Sequence, residues 1–297
     1  MKNYEDFAEE LNAKINSDDS FYYELLITVI KNPKRYTGIF RVSNAKTKLI
    51  QNVTQSREIK FGDFMEDIIT WYISEMGYEN LDKNISSELQ ADQLFRKDNV
   101  IYLIEQKIRD DHDSTKKRGQ YDNFSKKYSL LREQYPDFEV NAIMWFIDDS
   151  LKKNRKYYLD RAALETDKSI NISVVYGGEL LTDILDRSDV WEELCNHLSR
   201  NKHDRSNEVI SIPDFDTSPE ILKALIRLRM EQKNLYAKLV SSRPEYIQLR
   251  DELFPTGRNL LLASDPFYSP ENQAYVMKSI RELREGKGHA HELIDDK

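Results

Sequence analysis

Residues 92–107 read Asp-Gln-Leu-Phe-Arg-Lys-Asp-Asn-Val-Ile-Tyr-Leu-Ile-Glu-Gln-Lys, and they hold the side chains best suited to chemistry. Val100 to Ile104 is an apolar strand pattern that follows the turn-forming Lys97-Asp98-Asn99, so the stretch is predicted to be a β-hairpin. Side chains alternate faces along a strand, which sends Glu105 and Lys107 to one side and Gln106 to the other. A partner strand ending near Asp92 would bring a second carboxylate opposite Glu105. Two acidic oxygen donors and one ammonium would then share one place. That set suits metal-assisted hydrolysis of a phosphodiester. Mg²⁺ prefers oxygen ligands, keeps several waters, and is held by one or two carboxylates plus substrate phosphate oxygens. A lysine beside it can orient water or stabilise developing negative charge.

The bare Glu-x-Lys pattern is weak, because it recurs at Glu58/Lys60, Glu231/Lys233 and Glu285/Lys287. Glu231 and Lys233 fall in a helical pattern with Ile221, Leu225, Leu228 and Leu235, where i and i+2 do not share a face. What singles out Glu105/Lys107 is the apolar run just before it and an aspartate ahead of the preceding turn. The bland alternative is a solvated strand end with an incidental ion pair.

Asp92, a strand-length gap, Glu105-Gln106-Lys107 and the following residues 108–120 resemble the PD-(D/E)xK nuclease signature, in the form seen in type II restriction endonucleases. The resemblance spans roughly Phe61 to Tyr176. The proline of that signature is Ala91 here, and Asp98, in the turn, is the rival for the first acid. The resemblance implies duplex DNA as substrate and Mg²⁺ as cofactor. It also implies an upstream helical acid, matched by Glu66, so that Asp92, Glu105 and Glu66 would be the metal ligands; the alternative for Glu66 is an ordinary first-turn acid favoured by the helix dipole. Finally, it raises the standing of Gln120, which would lie near the substrate phosphate if its helix packs on the hairpin.

The elements that must position these residues follow from hydrophobic period. Helices are predicted at Tyr4 to Ile15 and Ser20 to Lys31, and at Phe61 to Met76 with Gly77 as its stop. Thr37 to Val42 fits either a short strand or a DNA-facing loop. Ser114 to Gln134 is predicted to be a helix capped by Ser114 or Thr115, with Phe124, Tyr128 and Leu131 packing on the sheet. Val140 to Ile147 reads as a buried parallel strand, which demands a right-handed crossover from the hairpin. A basic helical connection over Leu151 to Leu164, a strand over Ile170 to Tyr176 and a helix over Glu179 to Leu198 complete the pattern. Beyond the polar stretch Asn201 to Asn207, helices are expected at Ser218 to Val240, Pro244 to Leu253 and Ser269 to Glu285. The expected fold is α/β: a restriction-endonuclease-like mixed β-sheet flanked by helices, with additional helices at both termini. The expected division is a nuclease domain over 1–204 and a helical region over 205–297 for DNA contact or dimerisation.

The 297 residues, with 39% hydrophobic residues, 17 Tyr and 12 Phe, are enough to bury a full core. Cys195 is the single cysteine, which excludes an internal disulfide and a multi-cysteine zinc site. No apolar run approaches the roughly 18 residues of a membrane span, and the N-terminus has no signal-peptide pattern. The expected compartment is the cytoplasm. A net charge of −8 argues against a nucleic-acid partner in general. Locally the balance reverses, since Lys107 to Arg132 holds eight Lys/Arg and four Asp/Glu. Lys116, Lys117 and Arg118 in that stretch are candidates for phosphate contacts. Arg243 and the Arg258-Asn259 pair are candidates for reading bases, because arginine pairs with guanine and asparagine with adenine. Asp110-Asp111-His112-Asp113 is kept as a secondary contact.

The leading expectation is an Mg²⁺-dependent endonuclease cutting duplex DNA at a short specific sequence, as a homodimer, with a DNA methyltransferase as companion. The alternatives are a repair or recombination nuclease that needs ends or branches, and a non-catalytic DNA-binding module.

Overall fold

In the computed structural model, which describes residues 1–15, 19–167, 169–268 and 270–287, the chain divides into two compact units. Residues 1–15 and 57–208 form the first, and residues 16–56 and 209–297 the second. The second therefore includes residues 16–56, which a division after residue 204 would place in the nuclease domain.

The first unit is built on a five-stranded sheet of order β1-β2-β3-β4-β5: β1 Glu79–Asn80, β2 Gln93–Lys97, β3 Val100–Lys107, β4 Glu139–Phe146 and β5 Ile170–Tyr176. The β1-β2 and β2-β3 pairs are antiparallel, while β3, β4 and β5 run parallel to one another, so the sheet is mixed. The β2-β3 hairpin turns at Asp98, a left-handed residue with φ 52°. Aspartate tolerates that region better than most side chains. The register pairs Gln93 with Ile104 and Lys97 with Val100, which leaves Asp98 at the opposite end of the hairpin from Asp92.

Alternation along the strands divides the sheet into two cores. Phe95, Ile104, Ile143, Trp145 and Val175 face one side, where they meet α1 (Tyr4–Ile15), the later turns of α4 (Ala45–Glu75) and α7 (Ser188–Asp204). Leu94, Ile101, Leu103, Val140, Ala142 and Met144 face the other, against α5 (Ser114–Gln134) and Tyr158 of α6 (Arg155–Ala162). The α4 helix is much longer than the expected Phe61 to Met76. Ala45, Leu49 and Val53 bury its first turns as an apolar stripe, and Gly77, at φ 80°, ends it where a side chain would be strained.

Three local expectations need correction. The cap of α5 is Asp113, whose Oδ1 accepts from the backbone N–H groups of Thr115 and Lys116 at 3.0 and 2.8 Å, so neither Ser114 nor Thr115 serves. The single helix expected over Glu179 to Leu198 is a π-helical turn, Leu180–Ile184, then α7, because Asp186 takes a left-handed φ of 52° between them. The helix expected over Ser218 to Val240 breaks at Gln232, whose non-helical backbone separates α8 (Pro219–Glu231) from α9 (Lys233–Leu239).

The second unit is helical. It comprises α2 (Asp19–Lys31), α3 (Pro33–Thr37), the first turns of α4, then α8, α9, α10 (Pro244–Leu253), α11 (Arg258–Ser264) and α12 (Pro270–Arg284). Leu26, Ile30, Ile221, Leu225, Leu249 and Leu253 are in its core. Ser269, at the expected start of the last helix, lies outside the described residues.

Ile104 is wholly buried on the central hairpin strand. Ile104→Ala is expected to lower unfolding free energy by about 3 kcal/mol through lost burial and a residual cavity, measured by urea denaturation.

Candidate active site

Asp92 stands one residue before β2, directly across the hairpin from Glu105, because Gln93 pairs with Ile104. Both acids lie on the α5 side of the sheet, the side taken by Leu94 and Leu103. Lys107, two residues after Glu105, returns to that side. Its Nζ lies 2.9 Å from Asp92 Oδ2 and 2.8 Å from Glu105 Oε1, and it donates to the Gln106 carbonyl at 2.9 Å. Asp92 Oδ2 also accepts the Gln106 backbone N–H at 2.7 Å. Side-chain exposures of 17% for Asp92 and 7% for Glu105 show that both carboxyls are largely removed from water.

Burial, and then the neighbouring Glu105 charge, push the Asp92 carboxyl above the ordinary aspartate range, while Lys107 pulls it back. Lys107 shows the converse balance. Burial opposes its charge, but Glu105 and Asp92 outweigh that and hold the ammonium protonated more firmly than an ordinary lysine.

A second lysine completes the cluster. Lys127 of α5 is 4% exposed and donates to Glu105 Oε2 at 2.5 Å, so each oxygen of Glu105 faces its own ammonium. This residue was absent from the expected site, although a signal was present. Tyr121, Phe124, Tyr128 and Leu131 make the buried stripe of α5, and Lys127 sits within that stripe at helical spacing. A lysine there needs a buried partner. Gln120, expected near the substrate phosphate, accepts from the Tyr158 hydroxyl at 3.1 Å. Lys127, not Gln120, is the α5 side chain that reaches the hairpin acids.

Glu66 approaches from the opposite side, on α4. Its carboxyl is pushed up to about 7 by burial and then by the Asp92 charge, with Lys83 and Lys107 opposing. Gln93 ties this helix to the strands: fully buried, it donates to the Glu66 carbonyl at 2.8 Å and accepts from Thr70 Oγ1 at 2.7 Å. Lys83 in turn donates to Thr70 Oγ1 at 2.9 Å. Among the described residues no three His, Cys, Asp or Glu side chains gather as a metal-holding group. The acids seen to converge on Lys107 are Asp92 and Glu105, and Glu66 lies close enough for its carboxyl to be raised by the Asp92 charge. The two hairpin acids face α5, while α4, which carries Glu66, packs on the reverse face of the sheet. The pair still fits a hard divalent cation: two carboxylates from adjacent strands converge on one positive charge, at present the Lys107 ammonium.

The remaining candidates separate by burial and partner. Lys116 and Arg118 are exposed on the first turns of α5. Lys117 is half-buried, donates to Asn154 Oδ1 at 3.1 Å and lies over the Tyr157 ring. Asp110 is a buried structural acid that accepts from the Asn154 backbone N–H, the Asn154 side chain and the Tyr176 hydroxyl at 2.7–3.0 Å. Asp111 pairs with His112, and Asp113 is the cap already described. In the second unit Arg243 and Arg258 are exposed. Asn259 is 1% exposed and donates to the Phe215 and Ser218 carbonyls, both at 3.0 Å. That commitment withdraws it as a reader of bases.

The class to which this arrangement belongs is that of the type II restriction endonucleases. The family model for type II restriction endonuclease HinfI matches residues 3–94 and 77–202, which together take in the whole sheet and the helices on both its faces. The chain belongs to that family, and is by class a site-specific deoxyribonuclease. It is also similar to the type II restriction enzyme HinfI of Haemophilus influenzae, at 27% identity over 181 residues, covering 57% of this chain and 69% of that protein.

Two outcomes follow from the charges. Lys127→Met takes one of its two ammonium partners from the buried Glu105 carboxylate and should cost about 3 kcal/mol of stability, most of it recovered in the double variant with Glu105→Gln, by denaturant titration of all members of the cycle. The raised carboxyl of Glu66 means that the folded state holds its proton after the unfolded chain has released it, so stability falls as pH rises from about 4.5 to about 7. In EDTA, Glu66→Gln should therefore melt above the wild type at pH 8, by of order 1 kcal/mol after solvent screening, and level with it near pH 4.

Proposed function

We propose that this chain hydrolyses phosphodiester bonds of double-stranded DNA at a short specific sequence, with Mg²⁺ as cofactor. The observation that carries the reading is the meeting of Asp92 and Glu105, from opposite strands of one hairpin, at the Lys107 ammonium. Asp92 and Glu105 would hold the cation. When bound it would supply positive charge against the scissile phosphate and lower the pKa of a nearby water.

The protein's own groups do the rest. Lys107, kept charged by two acids, orients the attacking water and places a donor where negative charge develops. Lys127 fixes the Glu105 carboxylate through its second oxygen, so that the acid keeps one orientation. Glu66, poised near neutrality beside Asp92, is placed to take up or pass on a proton through water. Exposed Lys116 and Arg118 supply phosphate contacts at the start of α5, and exposed Arg243 and Arg258 of the second unit contact the DNA. We further propose a homodimer whose two-fold axis matches a symmetric site, a cytoplasmic setting, and a DNA methyltransferase that protects the host sequence. No helix among the described residues is long and apolar enough to cross a membrane.

The test is incubation of the purified protein with intact plasmid. With Mg²⁺, discrete fragments with a common end sequence are expected, and EDTA should abolish them. Smearing that depends on free ends would point instead to a repair or recombination nuclease. Lys107→Ala should slow cleavage by at least about 10²-fold while duplex binding stays within a few-fold of wild type. Undiminished cutting by that variant would refute the assignment of the site.

A further inference from the structure

The second unit carries a surface that neither the catalytic cluster nor its helical core explains. From Leu25 to Ser56 the chain has Lys31, Lys34, Arg35, Arg41, Lys46 and Lys48 and no Asp or Glu, although acids outnumber Lys/Arg by 52 to 44 in the whole sequence. The positive charge is therefore a local property of this stretch. Within it, residues 38–42 connect α3 to α4 and hold Ile39, Phe40 and Val42 at 84%, 95% and 110% exposure. Lys34, Arg35 and Arg41 around them are exposed as well.

The root of this loop is anchored. Gln248 of α10 donates to the Thr37 carbonyl at 2.6 Å, and the Tyr246 hydroxyl donates to the Ile30 carbonyl at 3.1 Å. The Gly38 N–H donates to the Lys34 carbonyl at 3.1 Å, and a Cβ at Gly38 would stand 2.6 Å from that same oxygen, so only glycine lets the chain leave α3 here. The Arg41 N–H then closes back on the Gly38 carbonyl at 3.0 Å. Beneath the tip is an open cavity of about 660 Å³, whose lining includes Lys34, Phe40, Arg41, Pro244 and Gln248, with Glu245 as its acid.

Three large apolar side chains presented together on an anchored loop mark a contact surface, because a protein rarely leaves such a group in water. Charge decides the kind of partner. An apolar tip ringed by arginine and lysine, without acids in the surrounding stretch, is complementary to duplex DNA: phosphates meet the cations, and apolar side chains press on bases or sugars of the minor groove.

We propose that residues 38–42 form a DNA wedge, in which Lys34, Arg35 and Arg41 grip phosphates while Ile39 and Phe40 press between base pairs from the minor groove. The inference rests on duplex DNA being the substrate, but not on where the metal is held. The mixture of grip and wedge also gives the enzyme a way to sense how easily a sequence unstacks, which is specificity without base hydrogen bonds.

The test uses the full chain and a mixed-sequence duplex in EDTA, so that nothing is cut. By fluorescence anisotropy, Arg41→Glu should weaken binding about tenfold and lower the slope of log affinity against log salt by about 1 to 2. Phe40→Ser should weaken binding several-fold with the slope unchanged. A photoreactive benzoylphenylalanine replacing Phe40 should crosslink to the duplex. Crosslinking to a second copy of the chain, with Phe40→Ser sedimenting as a smaller species than wild type, would overturn the wedge and make the loop a self-association surface. If wild type cuts plasmid with Mg²⁺ and both variants bind the duplex as it does, the wedge alone is lost. If wild type neither cuts nor binds, the substrate reading beneath it is lost too.

Discussion

The ammonium of Lys107, shared between Asp92 and Glu105, is the interaction on which the site depends. Two carboxylates so close and so far from water cannot both stay ionised without compensating charge, because desolvation and mutual repulsion both favour the protonated form. The protein answers with lysines in equal number. Lys107 and Lys127 serve the hairpin acids, and Lys83 lies where it opposes the raised pKa of Glu66. The cluster is charge-balanced but not slack. Each ammonium occupies a position defined by a strand or a packed helix, so the anionic oxygens stay aimed and ready for a cation and a phosphate.

Strand register places the two acids. Asp92 reaches Glu105 because β2 and β3 pair Gln93 with Ile104, and a slip of one residue would turn one acid to the opposite face of the sheet. The two-residue turn at Asp98 and Asn99 holds that register from the far end. The parallel pairing of β3 with β4 then covers the hairpin's inner edge and leaves the α5 face to bury Glu105 against Lys127. On the reverse face, under α4, Gln93 locks helix to strand through the Glu66 carbonyl, and the Asp92 charge adds to burial in raising the Glu66 carboxyl.

Much of this was legible in the chain. The hairpin, the alternation that puts Glu105 beside Lys107, the parallel strand after α5 and the helix boundaries at Ser114, Gln134, Pro244 and Leu253 all follow from side-chain period and turn residues. Other features were not. The stretch before Phe61 gave no clear periodic signal, yet α4 runs through it, because Ala45 and Leu49 are buried in a cluster shared with α2 and with helices that come much later in the sequence. Asn259 has the chemistry of a base reader, but its burial under Phe215 and Ser218 carbonyls depends on a loop some forty residues earlier.

Local pattern alone thus determined the ingredients: an acid on each arm of a hairpin, a lysine on the same face as one of them, and helices to flank a mixed sheet. These are consequences of bonds between near neighbours and of the twofold period of a strand. Tertiary structure decided which charges meet. It brought Lys127 to Glu105, set Gln120 against Tyr158, and collected residues 16–56 with the C-terminal helices, because each outcome depends on packing between segments far apart in the chain.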